Sequence, residues 1–122
     1  QYNAGNYEKA FKTFEMLAYL NSEDPRFLFG MAACFQGLKK YKEAYNAFMI
    51  TALIDKDNPV PFYHAADCCL QEGEKISALV MLQVVIDKSE GKPEYSYIKD
   101  RSEVLKESLT SEINGEVEKP KV

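Results

Sequence analysis

Several columns of the sequence recur at a step of 34 residues, and no other feature restricts the fold as strongly. Pro25, Pro59 and Pro93 form one column, and Ala10, Ala44 and Ala78 a second. Phe14, Phe48 and Leu82 form a third, and Cys34 recurs at Cys68. A period shared by proline, small, aromatic and cysteine positions marks a chain built from repeated supersecondary units, each burying its apolar face against its neighbours.

The columns also say what the unit is. Asp24-Pro25 and Asn58-Pro59 each set a side-chain acceptor before a proline, the layout of an N-cap followed by the first helical residue. Leu28, Met31, Ala32 and Phe35, and then Phe62, Ala65, Ala66 and Cys69, recur at three- and four-residue steps as amphipathic first helices. After polar turns at 37–40 and 71–74, second helices carry Tyr41, Ala44, Phe48 and Thr51, and Ala78, Leu82 and Val85. Ala32 and Ala66 face Ala44 and Ala78, where bulk would force the paired helices apart.

The opening segment, up to Tyr7 and followed by Ala10 and Phe14, fits the end of a first helix, a turn and a second helix, so the first repeat is expected to lack its start. Beyond Pro93, the residues Tyr97, Ile98, Arg101, Val104, Leu105, Leu109 and Ile113 mark one long helix without a hairpin partner, as a stack needs to cover its end. Asn114-Gly115 is expected to break that helix, leaving a charged, disordered tail. The expected fold is all-α: a right-handed stack of about three helical hairpins over 1–113, with repeats near 1–24, 25–58 and 59–92, a capping helix over 93–113 and a flexible tail over 114–122.

Fifteen basic against nineteen acidic residues leave a formal charge of -4, without the positive field that phosphate neutralisation requires, so nucleic acid is not expected as a partner. No run approaches the roughly 18 to 20 apolar residues of a membrane span, and the first residues lack the charged-then-apolar layout of a signal peptide. Membrane insertion is therefore not expected. Three cysteines, two of them adjacent, make a poor disulfide framework and fit a reducing compartment.

Cys34 and Cys68 sit at equivalent repeat positions and read as packing residues, as does Cys69 in the aromatic column. Cys68 and Cys69 diverge by about 100 degrees on a helix, which disfavours a metal site. The six glycines make no phosphate loop. Lys39, Lys40 and Lys42 at a hairpin turn read as solvated charge. No cofactor, metal or catalytic group is expected, and the function reads as binding. A thiol enzyme pairing Cys68 with His64, the only histidine, is a competing reading that an unperturbed thiol pKa would exclude.

The columns Leu28, Ala32, Phe35, Ala44, Phe48 and Phe62, Ala66, Cys69, Ala78, Leu82 resemble the tetratricopeptide consensus, whose period is also 34. The sequence departs from it at Ser22, Lys56 and Glu90, where the consensus proline comes three residues later, and at Leu17, Thr51 and Val85, which replace a late alanine. Residues 26–36 and 61–70, above all His64-Ala65-Ala66-Asp67-Cys68, together with Gln1-Tyr2 and Gly5-Asn6-Tyr7, are similar to the class II chaperones of bacterial type III secretion. That resemblance covers roughly 1–90. It implies a small acidic protein of the bacterial cytoplasm that holds hydrophobic, pore-forming translocators before export. The family also has an N-terminal helical segment used in dimerisation that is not in this sequence, and a homodimer is implied only through it.

In a stack of this kind, first-helix residues not spent on the hairpin core face a concave groove. In this register they are Tyr2, then Phe29, Ala33 and Gln36, then Tyr63, Asp67 and Leu70, with Gly30 and His64 beside them. Phe29, Tyr63 and Leu70 could each be ordinary core, but both hairpins have a complete packing stripe without them, and grouped exposed aromatics mark a binding surface.

The resemblance implies that an extended translocator segment fills the groove, with proline and leucine anchors in separate pockets. Three anchors at about 1.5 to 3 kcal/mol each, less several kcal/mol for docking, correspond to micromolar affinity. Some tetratricopeptide domains grip a partner's free carboxylate through Lys and Asn. Here those positions are Phe29, Ala33, Tyr63 and Asp67, so no such clamp exists and Asp67 would repel a carboxylate. A generic adaptor joining two folded partners is the alternative the same fold supports.

Overall fold

The computed structural model describes residues 4–118, which form helices α1 (Ala4–Leu20), α2 (Pro25–Gly37), α3 (Tyr41–Ile54), α4 (Val60–Gln71), α5 (Lys75–Ser89) and α6 (Ser96–Glu118), with a 3-10 turn at Pro93–Tyr95. The caps read from the sequence start α2 and α4. The Arg26 backbone N–H donates to Asp24 Oδ1 at 3.0 Å, and the Arg26 guanidinium closes on the same carboxylate at 2.6 Å. The Val60 N–H donates to Asn58 Oδ1 at 2.9 Å, while Pro59 already has helical backbone angles.

Both hairpins turn in the same way. After α2 the Leu38 N–H returns to the Cys34 carbonyl and the Lys40 N–H to that of Phe35; after α4, Glu72 returns to Cys68 and Glu74 to Cys69. This closure needs a left-handed residue, which is Gly73 (φ 75°) in one turn and Lys39 (φ 62°) at the equivalent place in the other.

The small-residue column is the centre of the core. Ala32, Ala44, Ala66 and Ala78 are all at most 1% exposed, and Phe48 and Leu82 fill the space beside them. Thr51, which stands where the consensus has alanine, is buried with its hydroxyl donating to the Ala47 carbonyl at 2.9 Å. Backbone packing joins each helix chiefly to its neighbours in sequence, and α4 against α6 is a close approach that skips a helix.

Two expectations are corrected. First, α1 begins at Ala4 and runs through Gly5-Asn6, three residues ahead of the turn-to-helix boundary that the spacing to Tyr41 predicts. Gly5 is the repeat equivalent of Lys39 and Gly73, yet it has no positive φ, because no helix precedes it among the described residues for the chain to turn back upon.

Second, Asn114-Gly115 does not end α6, which continues to Glu118. Lys75 in the first turn of α5 pairs with Glu112 at 3.5 Å and with Glu116, so the last turns of α6 are docked. A helical glycine costs only about 1 kcal/mol. Residues 119–122 of the expected flexible tail lie outside the described residues.

Within α6, which forms where the sequence marks it, Tyr97 and Val104 are 72% and 64% exposed. The face of α6 turned to α5 instead carries Ile98, Ser102, Leu105 and Leu109, with Ser102 and Leu109 buried.

Candidate functional site

Side chains of α2 and α4 meet twice across the stack. At one point the Phe29 ring lies edge-on to His64 with centroids 5.4 Å apart, and at the other Gln36 Nε2 donates to Asp67 Oδ2 at 2.8 Å. Phe29 and Gln36 are seven residues apart, two turns along one face of α2, with Ala33 exposed on that face. His64, Asp67 and Leu70 follow at steps of three on α4, so the two rows run together.

His64 is the hub of the aromatic part. Its ring stacks on the buried Phe48 ring at 5.1 Å and 15°, and Tyr63 meets it edge-on at 6.0 Å. Burial lowers the His64 pKa, and the nearby Asp67 carboxylate works against that shift. The imidazole is therefore neutral at neutral pH.

A cavity of about 330 Å³ opens on one side of this aromatic group, bounded by Gln36 of α2, by Tyr63, His64, Asp67 and Leu70 of α4, by Leu82 of α5 and by Arg101 and Leu105 of α6. On the other side, Phe29 borders a cavity of about 280 Å³ with Thr51, Asp55, Asn58, Val60 and Tyr95. The repeat register thus gathers Gln36, Tyr63, His64, Asp67 and Leu70 around the larger hollow and sets Phe29 at the smaller one. Phe29 and Leu70 are also partly buried against the core, so they serve both packing and surface, whereas Tyr63 stands outside the core cluster.

Two of the expected groove residues are not there to be counted. Gly30 faces α1: a Cβ on it would come within 2.6 Å of the Phe14 ring, so its role is to let that ring close on α2. Tyr2 lies outside the described residues.

The walls supplied by α6 and by the turn before it were missed from the sequence. The 34-residue step carries Tyr63, Asp67 and Leu70 on to Tyr97, Arg101 and Val104, but groove positions were expected only on the first helices of the hairpins, and Leu105 and Tyr95 follow no groove column. The available signal was the spacing Tyr97, Arg101, Val104, a helical stripe with more apolar surface than a solvated cap requires. Arg101 also changes the charge of the groove, which the sequence presented through Asp67 alone.

The thiols are unsuited to nucleophilic chemistry. Cys34, Cys68 and Cys69 are buried and unpaired, and burial pushes the Cys68 pKa up to about 12, opposite to the direction of activation. Among the described residues no group of His, Cys, Asp and Glu could hold a metal ion. A separate cavity of about 340 Å³, lined by Tyr41, Tyr45, Cys68, Cys69 and the carboxylates Glu72 and Glu74, shares no residue with the two hollows of the groove. Among the described residues no helix is long and apolar enough to cross a membrane.

Comparison with known proteins places this geometry. Residues 25–58 match the tetratricopeptide repeat family. The chain is 34% identical over 109 residues to the low calcium response locus protein H of Yersinia pseudotuberculosis, a match covering 89% of this chain and 65% of the relative's length. Its fold is similar to SycD, the type III secretion translocator chaperone of Yersinia enterocolitica, in a crystal structure with a peptide of the translocator YopD: TM-score 0.85, 32% identity, covering 88% of this chain and 82% of that one. It is also similar to PcrH, known from Pseudomonas aeruginosa, in complex with the chaperone binding region of PopD, with TM-score 0.84, 29% identity and coverage of 89% and 82%.

Proposed function

We propose, because the chain belongs to the class II translocator chaperones of type III secretion, that it holds an extended segment of a hydrophobic translocator in its groove and keeps that client from associating before export. The observation that carries this reading is the pair of hollows bordering Phe29, Tyr63 and His64, the larger lined by Leu70, Leu82 and Leu105. Separate pockets suit apolar anchors spaced along an extended chain, and the similar chaperones SycD and PcrH form complexes with a peptide of YopD and with the chaperone binding region of PopD.

The mechanism is competition for apolar surface. While the client's anchors lie against Tyr63, Leu70 and Phe29 they are withdrawn from contact with other translocator molecules and with the membrane. The protein works by binding rather than by chemical turnover, and does so in the bacterial cytoplasm. The groove residues are Phe29, Ala33, Gln36, Tyr63, His64, Asp67 and Leu70.

The test is titration calorimetry with peptides carrying spaced leucine and proline anchors, against the native chain and Tyr63→Glu. The native chain binds with micromolar affinity, and the variant, with its helical circular dichroism unchanged, loses at least about tenfold, the equivalent of roughly 1.4 kcal/mol. Loss of helicity in the variant would assign Tyr63 to the core. Equal binding by the two proteins would place the client elsewhere.

A further inference from the structure

Arg101 is the one cation lining the larger hollow of the groove, and no hydrogen bond or ion pair holds it among the described residues. Several cations elsewhere are engaged. Arg26 pairs with Asp24, Lys75 with Glu112 and Glu116, and Lys99 with Glu90, while Lys88 and Lys92 donate to backbone carbonyls of the α3–α4 loop. Position on the helix explains the difference. The residues three and four away from Arg101 are Tyr97, Ile98, Val104 and Leu105, so an acidic helix offers it no carboxylate at pairing distance.

The one carboxylate in the same hollow, Asp67, already accepts from Gln36 at 2.8 Å. Arg101 therefore brings five N–H donors, unused, to the rim of a hollow floored by Leu70, Leu82 and Leu105. On either side of it, Tyr97 and Val104 remain exposed where a solvated helix would carry polar residues.

We propose that α6 is a wall of the client groove as well as the cover of the stack, and that Arg101 selects client segments bearing an acidic side chain beside an apolar anchor. This rests on the groove being the client site. The planar guanidinium takes a carboxylate through two parallel hydrogen bonds, and apolar surroundings strengthen such a pair relative to one in open water. The anchor enters the leucine-floored hollow, and the neighbouring carboxylate, at the rim, meets Arg101. Tyr97 and Val104 cover the chain on either side. The neutral His64 imidazole leaves Arg101 as the one positive charge lining the larger hollow, while Arg26 at the smaller one is paired with Asp24.

The experiment uses one host peptide with leucine and proline anchors, its non-anchor positions set in turn to Glu, Gln or Lys, titrated against the native chain, Arg101→Gln and Arg101→Glu. At one position the native chain prefers Glu over Gln by about tenfold, and the preference shrinks with added salt. Arg101→Gln abolishes the preference, and Arg101→Glu reverses it towards Lys. An unchanged ranking of Glu, Gln and Lys peptides in both variants, with Tyr63→Glu still abolishing binding, would overturn the role of Arg101 and leave the groove standing. Absence of binding by every peptide would overturn the groove and this inference together. Because Arg101 is exposed, both variants keep the fold, which circular dichroism checks.

Discussion

His64 couples the groove to pH through its burial. Its pKa is held below the ordinary value of 6.5, chiefly by desolvation, so the unfolded chain binds a proton more readily than the folded one. Stability from this residue is then complete above pH 6.5 and falls as the pH drops below it, levelling off under the folded-state value. Thermal melts of the native chain are expected to lose more between pH 7.5 and 5.5 than those of His64→Gln; parallel losses would mean that the imidazole titrates alike in both states. Lys39 is the other residue held in an unusual state. A left-handed lysine costs about 1 to 2 kcal/mol, and glycine at the same place would return roughly 0.4 to 1 through the unfolded chain. Lys39→Gly should therefore gain somewhat under about 1 kcal/mol in urea denaturation. Gly73 already shows the repeat equivalent in that form.

At the scale of elements, the joint between α1 and α2 depends on glycine. Phe14 lies over Gly30 and Tyr7 over Gly37, and neither site has room for a Cβ. Gly30→Ala is expected to cost roughly 1 to 3 kcal/mol through overpacking, read as a lower urea midpoint with the slope unchanged. A neutral result would show that the Phe14 ring swings aside. This glycine also shows where sequence reading reaches its limit. The helices and hairpins were legible because proline, alanine and aromatic columns each have a local cause: a cap, a close approach, a filled core. The groove face of α2 and α4 was legible through steps of three and four. Gly30 carried no such mark, since a missing side chain reads the same whether it opens a groove or admits a neighbour's ring. The length of α6 was hidden for a similar reason: Asn114-Gly115 is a genuine local stop signal, overruled by the Lys75 pairs from a helix far back in the sequence. Arg101 stands one 34-residue step beyond Asp67, but on a helix read only as a cover for the stack, and Tyr95 lies on no groove column.

Across the whole molecule, the stack is open, with the helices packed chiefly against their neighbours in sequence and α4 also approaching α6. Two hollows border the aromatic group, and both draw on residues beyond the last hairpin: Tyr95 on one, Arg101 and Leu105 on the other. The neighbour-to-neighbour order has a consequence for how the molecule comes into being. A fold with mostly local contacts can assemble progressively as the chain leaves the ribosome, each new helix docking on the last. The hollows behave differently, since one waits for Tyr95 in the turn before α6 and the other for α6 itself to emerge and pack back against α4. A half-made chain can thus be folded over much of its length while both hollows still lack a wall.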